Sequence, residues 1–384
     1  MLAFLVVVVL IGLGERIGAR FVPKYLEALG GTAIVVGLYG ALENIVGALW
    51  SLPGGVMTDR LGPRRALLVF NAIAISGYLL VVFVPAWPAV LAASCLFLAW
   101  SALSLPATLS FVSRRMPKKR ALGVSFHSMV RRVPMALGPM LGGLLIARFG
   151  VVSGVRYAFT IALVFAVAAI PDPMRMAETN PTPYEPLSPW RLLRGFRPEL
   201  RRLLVSDILI RFCEQIPNSF VVLWVMNVVG KSAPQFGWLS AIEMATAMAI
   251  YLPVAHFSDR AERKPFVLLT FIFFTLFPAA LWFARGTAAL VFAFVLRGLK
   301  EFGEPTRKAL IYELGQPGVE ARSLGAYYLM RDLTVSIGAF AGGLLWTRGP
   351  GWNLWVAFGC GVIGSIYFAL FGRGVSHEPA TASN

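Results

Sequence analysis

The chain has 384 residues, of which 57% are hydrophobic and only 14% charged, with a formal net charge of +16. A water-soluble fold of this length cannot bury so large an apolar fraction, so the composition points to a polytopic membrane protein. The basic residues sit in short segments between apolar runs rather than in one patch, which excludes nucleic-acid binding as their purpose.

A spanning helix needs roughly 20 apolar residues, and about twelve such runs are present. They predict spans at 2–28, 32–58, 65–84, 87–112, 121–147 and 151–171. The run at 1–13 has neither the basic flank nor the small-residue cleavage site of a signal peptide. Gly30-Gly31 and Pro85-Ala86-Trp87-Pro88 are turns. Residues 172–198 hold Pro173, Pro181, Pro183, Pro186, Pro189 and Pro198 and form a linker, in which 190–196 is expected to lie along the membrane surface. Spans at 199–229, 233–258, 265–284, 287–314, 321–347 and 351–372 follow, and a polar, disordered tail is expected over 373–384. The domain reading is an N-terminal bundle of six helices (1–171), a cytoplasmic linker (172–198) and a C-terminal bundle of six (199–372).

Arg and Lys collect in every second loop, for example Arg60, Arg64 and Arg65, then Arg114, Arg115, Lys118, Lys119 and Arg120. The positive-inside rule puts both termini and the linker in the cytoplasm. Cys95, Cys213, Cys360, His127, His256 and His377 are scattered, so no metal site, disulfide framework or cofactor is expected, and no nucleophile–base constellation suggests an enzyme.

The chain is written twice. At an offset of 200 residues Asp59 matches Asp259, Arg60 matches Arg260, Gly37 matches Gly237, Glu43 matches Glu243, Arg131 matches Arg331, and Gly142-Gly143 match Gly342-Gly343. Parallel repeats of this kind place a substrate site near the bilayer midplane between the halves.

Charges within the membrane are costly and usually functional. Asp207–Arg211, Arg297–Glu301, Lys300–Glu304 and Glu304–Lys308 are spaced i,i+4, and Arg211–Glu214 i,i+3, so local neutralisation competes with function for them. Glu43 and Glu243 have no basic neighbour one turn away, and Glu43 lies about 16 Å into its span. Either could carry a proton or be paired with another helix. Arg16 and Arg20 share a helix face, and Glu214 is nearly the repeat mate of Glu15.

The stretch Gly55 to Arg65 resembles the signature of the major facilitator superfamily between spans two and three, met by Gly55, Asp59, Arg60, Gly62, Arg64 and Arg65. The second half keeps Asp259 and Arg260 without the glycines. Gly138, Pro139, Gly142 and Gly143 are similar to the fifth-span signature of its drug/proton antiporters. The fourth-span arginine of that branch has no match in 96–108; Arg297-Gly298-Leu299 appears in span ten instead. Glu15-Arg16 also resembles the Glu-Arg of proton-coupled peptide transporters.

The resemblance implies an all-α integral membrane fold of twelve transmembrane helices in two parallel six-helix repeats. It implies a conformational latch at the Asp59 loop and its Asp259 mate, and a cavity lined by the first and seventh spans. Substrate-site candidates are then Glu15, Arg16, Arg20, Glu214, Arg131, Arg331, Arg297, Glu301 and Trp238. Proton-coupling candidates are Glu43, Glu15, Glu214 and Glu243. The leading expectation is a proton-coupled, multidrug-like exporter of small organic molecules, monomeric, in a bacterial-type cytoplasmic membrane. Its alternatives are a symporter or facilitator for an anionic or zwitterionic solute, and a non-transporting receptor or scaffold on the same fold.

Overall fold

The computed structural model describes residues 2–98, 120–171, 189–258, 263–315 and 320–372. Every regular element among them is helical. The first half holds α1 (Leu2–Ala19), α2 (Val22–Ala28), α3 (Ala33–Phe83), α4 (Trp87–Leu98) and α5 (Arg120–Ala168). Then come α6 (Pro189–Arg194), α7 (Pro198–Asn218), α8 (Val221–Leu223, continued by a π-helical turn over Trp224–Val228) and α9 (Ala233–Ser258). The chain ends with α10 (Arg263–Phe283), α11 (Thr287–Leu299), α12 (Glu304–Glu313), α13 (Glu320–Arg348) and α14 (Pro350–Phe371). Among the described residues Ala33–Trp50, Arg64–Phe83, Arg132–Ala168, Arg263–Phe283 and Pro350–Phe371 are long and apolar enough to cross a membrane. The bent pair Pro198–Asn218 and Val221–Val228 makes a sixth such stretch.

Two predicted span boundaries are single-glycine turns. α3 and α5 each contain one non-helical residue, Gly62 (φ 75°) and Gly150 (φ 77°). That left-handed backbone is open to glycine at little cost.

Three spans predicted as continuous are broken, and proline supplies the reason. The 2–28 span stops at Arg20–Phe21, where the Phe21 N–H turns back to the Gly18 carbonyl at 2.9 Å, and α2 resumes with Pro23 in its first turn. The 287–314 span stops after Leu299, and α12 resumes with Pro305 in its first turn. Proline cannot donate to the carbonyl four residues back and clashes with it. The 199–229 span bends by 44° between α7 and α8, just after Pro217. There the Phe220 N–H bonds the Pro217 carbonyl at 2.8 Å. Phe21 and Phe220 stand at the same 199-residue offset as Glu15 and Glu214, so the breaks in the 2–28 and 199–229 spans are repeat mates.

One apolar cluster crosses between the repeats, joining Phe21, Tyr25 and Tyr39 to Phe220, Trp224 and Phe236. A second lies within the later repeat and takes in Leu192 and Phe196, 7% and 4% exposed, with Leu200, Phe271, Leu310 and Tyr327. The segment around α6 is therefore packed onto this bundle by its apolar side chains.

The repeats meet where α3 packs on α13 and α5 on α9. Gly37 lies on Gly343 and Phe340, while Gly237 lies on Pro139 and Met140 and Gly143 on Ala233 and Pro234. A Cβ at Gly37 would stand 2.8 Å from the Gly343 Cα. Small residues let helix backbones approach this closely, and here the offset-200 mates make the contact twice.

Candidate functional site

A polar cavity of about 200 Å³ lies between the repeats. Its walls are the broken helices and α3. Arg16 and Ala19 of α1, Arg20 at the first break and Pro23 of α2 form one side, with Tyr39 and Glu43 of α3 beside them. Glu214, Gln215 and Asn218 of α7, Ser219 at the second break, and Arg297 and Lys300 at the end of α11 form the other. A helix break frees backbone and redirects side chains, which is why such breaks line cavities in membrane proteins.

The cations are shared among carboxylates on different helices. Glu214 accepts from Lys300 Nζ at 2.7 Å and from Arg211 Nη1 at 2.5 Å. Glu243, wholly buried behind the wall, has Arg20 at 3.4 Å, Arg297 at 3.4 Å and Lys300 at 3.7 Å. Arg297 also donates to Asn218 Oδ1 at 2.7 Å. The i,i+4 pairs Arg297–Glu301 and Lys300–Glu304 suggested by the sequence are not made. The helix ends between their members, so Lys300 and Arg297 turn to α7 and α9. Glu301 instead meets Arg132 of α5 at 3.1 Å. Arg20–Glu243 and Arg132–Glu301 are thus ion pairs between the repeats.

Glu43 is held differently. Tyr39 Oη donates to it at 3.3 Å, and it forms no ion pair among the described residues. Glu15 is 3% exposed, 4.0 Å from Arg16 Nη2, and outside the cavity lining.

Arg331 belongs to a second buried cluster. Asp207 and Arg307, both fully buried, are paired directly. Tyr327 Oη donates to Asp207 at 3.1 Å, and Arg331 Nη1 lies 3.5 Å from it. Arg331 also bonds Asp332 at 2.7 Å, with its guanidinium 4.5 Å from the centre of the Tyr328 ring. Glu304 accepts from Arg307 at 2.7 Å and from Arg211 at 3.4 Å. Arg211 therefore joins this cluster to Glu214 and the cavity.

Trp238 is 59% exposed and does not line the cavity. Five residues along a helix turn it about 140° from Glu243. The fifth-span motif divides its work between two faces. Gly138 and Gly142 seat α5 on Arg16 and Ile17 of α1, while Pro139 and Gly143 meet α9 of the other repeat. Of the expected latch, Gly55 lies in the helical stretch before Gly62, Arg64 is half-buried and Arg65 exposed. Asp259, Arg260 and the side chains of Asp59, Arg60 and Arg131 lie outside the described residues. Tyr39, Gln215, Asn218, Ser219 and Lys300 were missed as lining residues. Their only sequence signal is proximity to Glu43, Glu214 and Arg297 along each helix.

At the end away from the Asp59 turn the repeats are tied by polar groups. Lys24 Nζ donates to Glu27 at 2.5 Å and to Asn227 Oδ1 at 2.5 Å, and Asn227 Nδ2 donates to Glu27 at 2.7 Å. Asn227 sits in the π-helical turn, a distortion frequent at functional sites. With the glycine contacts, this end is closed.

The Major Facilitator Superfamily sequence profile matches residues 4–207 and again 203–384, once for each repeat. The chain belongs to the Major Facilitator Superfamily. It is an all-α integral membrane protein and a secondary transporter of that superfamily. It is 26% identical over 343 residues to the uncharacterized MFS-type transporter YhjO of Bacillus subtilis (strain 168), covering 87% of this chain and 83% of that one. It is 23% identical over 343 residues to the multidrug resistance protein MdtH of Yersinia enterocolitica, covering 86% and 80%. The crystal structure of a mutant of the nucleoside transporter NupG superimposes with a TM-score of 0.82 at 12% identity, covering 97% of this chain and 100% of that one. At that identity the likeness concerns the fold.

Proposed function

We propose that this superfamily member is a proton-coupled transporter of a small anionic or zwitterionic organic solute, working by alternating access. One observation carries the reading: among the described residues Arg16, Arg20, Arg297 and Lys300 share a small cavity with two carboxylates, Glu43 and Glu214. With Glu243 and Glu15 counted behind the wall, the latter 4.0 Å from Arg16, four cations meet four carboxylates, and protonation of Glu43 leaves one cation in excess. Excess charge inside a membrane is expensive, and a bound anion relieves it. The size and polarity of the cavity suit a small polar solute better than a bulky apolar cation.

Glu43 is the proton carrier in this reading. Glu214 and Glu243 are each held by two or more cations, whereas among the described residues Glu43 has only a tyrosine hydroxyl. The bundles 1–171 and 199–372, joined by the 172–198 linker, rock about the cavity as a monomer. The Asp59 loop and its Asp259 mate latch the cytoplasmic side, and the Lys24–Glu27–Asn227 clasp holds the outer side. The placement of the basic loops supports this orientation, with both termini in the cytoplasm of a bacterial-type cell. The names of the MdtH relatives favour a second reading, proton-driven export of drug-like molecules.

Purified protein in liposomes carrying a pH-sensitive dye separates the two. Dissipation of an imposed proton gradient by small organic anions or zwitterions, lost in Glu43→Gln, is expected. Dissipation only by apolar cations would favour the second reading, and full coupling in Glu43→Gln would remove Glu43 from the mechanism.

A further inference from the structure

On a face of α1 turned about 100° from the one lining the polar cavity lies an apolar groove of about 380 Å³. Leu13 and Ile17 of α1, Leu141 and Leu144 of α5, and Ile161 and Phe165 beyond the Gly150 turn line it, and Arg148 stands at its end. The stripe continues onto the surface of α5, where Leu137, Leu141 and Leu144 are 45%, 41% and 56% exposed. In a membrane-embedded bundle this face meets acyl chains.

Arg148 sets the groove apart from the rest of that face. It is exposed, makes no ion pair among the described residues, and lies over the Phe149 ring at 5.8 Å. Its neighbour beyond the turn, Arg156, is instead engaged by the Val82 carbonyl at 2.9 Å. Arg148 sits in the last turn before Gly150, where the chain reverses. From Leu137 to Arg148 the helix rises about 16 Å, half of a ~30 Å hydrocarbon core and so the depth of one leaflet. An unpaired guanidinium at headgroup level, with an apolar channel of one leaflet's depth beneath it, matches a phosphate with an acyl chain attached.

We infer that this groove binds one anionic phospholipid of the leaflet on the Gly150 side, its phosphate on Arg148 and an acyl chain between α1 and α5. The inference is independent of the solute carried in the central cavity.

The test is native mass spectrometry of the full chain released from nanodiscs of phosphatidylcholine containing a minor fraction of phosphatidylglycerol. One phosphatidylglycerol is expected to remain on each chain in preference to phosphatidylcholine. It should be lost in Arg148→Gln, at an exposed position that does not threaten folding, and in Leu141→Trp, which fills the groove. It should remain in Arg285→Gln, a control at another basic residue near a turn. Equal retention of the two lipids, retention unchanged in Arg148→Gln, or equal loss in Arg285→Gln would each overturn the inference.

Discussion

Gly37 and Gly343 meet backbone to backbone across the two repeats, and their mates Gly237 and Gly143 make the matching approach between α9 and α5. This end of the interface is closed by the absence of side chains. A Cβ at Gly343 would lie 2.7 Å from the Ala33 carbonyl oxygen and 3.2 Å from the Gly37 Cα. Those are backbone atoms, which cannot swing aside. Overpacking of this kind costs roughly 1–3 kcal/mol, and here it falls on the closed arrangement. Gly343→Val is therefore expected to leave the fold intact while opening this end. The readout is maleimide labelling of a cysteine replacing Phe236, which is buried against Phe21 of the other repeat at a centroid distance of 5.5 Å, in a background without the native cysteines. Labelling no faster than in the parent would show that these glycines do not control closure.

Glu243 and Arg20 form one ion pair but stand to lose unequally. Glu243 is fully buried and neutralises Arg20, Arg297 and Lys300 together, whereas Arg20 is 28% exposed at its side chain and leaves Glu243 two other partners. Removing one member of a buried pair commonly costs about 3–5 kcal/mol because the other charge is stranded. Glu243→Gln is expected to lower the melting temperature in detergent markedly, and Arg20→Gln by clearly less. Equal shifts would mean that Arg297 and Lys300 do not share the carboxylate.

The sequence makes the repeat legible because each half must build the same bundle, so Asp59 and Asp259, or Gly143 and Gly343, fall at one offset. It also marks most of the cavity charges, since Arg16, Arg20, Glu43, Glu214 and Arg297 stand in otherwise apolar runs, a costly placement. What it hides is pairing. The i,i+4 spacing of Lys300 and Glu304 reads as local neutralisation only while the helix is taken as continuous. Pro305 breaks it, and Lys300 is released to α7 and α9. Likewise Glu243 looks isolated on its own helix, because its partners come from α1 and α11.

The two single-glycine junctions can be separated from ordinary glycines. Gly150 has φ 77° and nothing within 4 Å of a built Cβ, so any penalty there is conformational. Gly359 in α14 also has open space around it but an ordinary helical backbone. Gly150→Ala is expected to destabilise by about 1–2 kcal/mol, while Gly359→Ala should be neutral or stabilising by up to about 1 kcal/mol. Thermal unfolding of the two variants beside the parent checks the contrast, and loss of stability in both would mean that space rather than backbone conformation limits these sites.

The Asp207–Arg307 pair sets a limit on what the second cluster contributes. Both side chains are fully buried, and Tyr327 and Arg331 also point to Asp207. Lys308 reaches Glu304 at 3.7 Å but is 51% exposed. Burial decides the outcome, because water screens the exposed pair and not the buried one. Asp207→Asn is expected to cost about 3–5 kcal/mol, leaving Arg307 short of a countercharge, and Lys308→Ala no more than about 1 kcal/mol. If the cluster is structural, replacing Asp207 by Leu and Arg307 by Met together should recover part of the stability lost in Asp207→Asn, since apolar residues of similar volume often substitute for a buried pair. If the double variant is as stable as the parent yet no longer transports, the charges serve transport through Arg211, which touches both this cluster and Glu214. If stability and transport are recovered together, the cluster is packing alone.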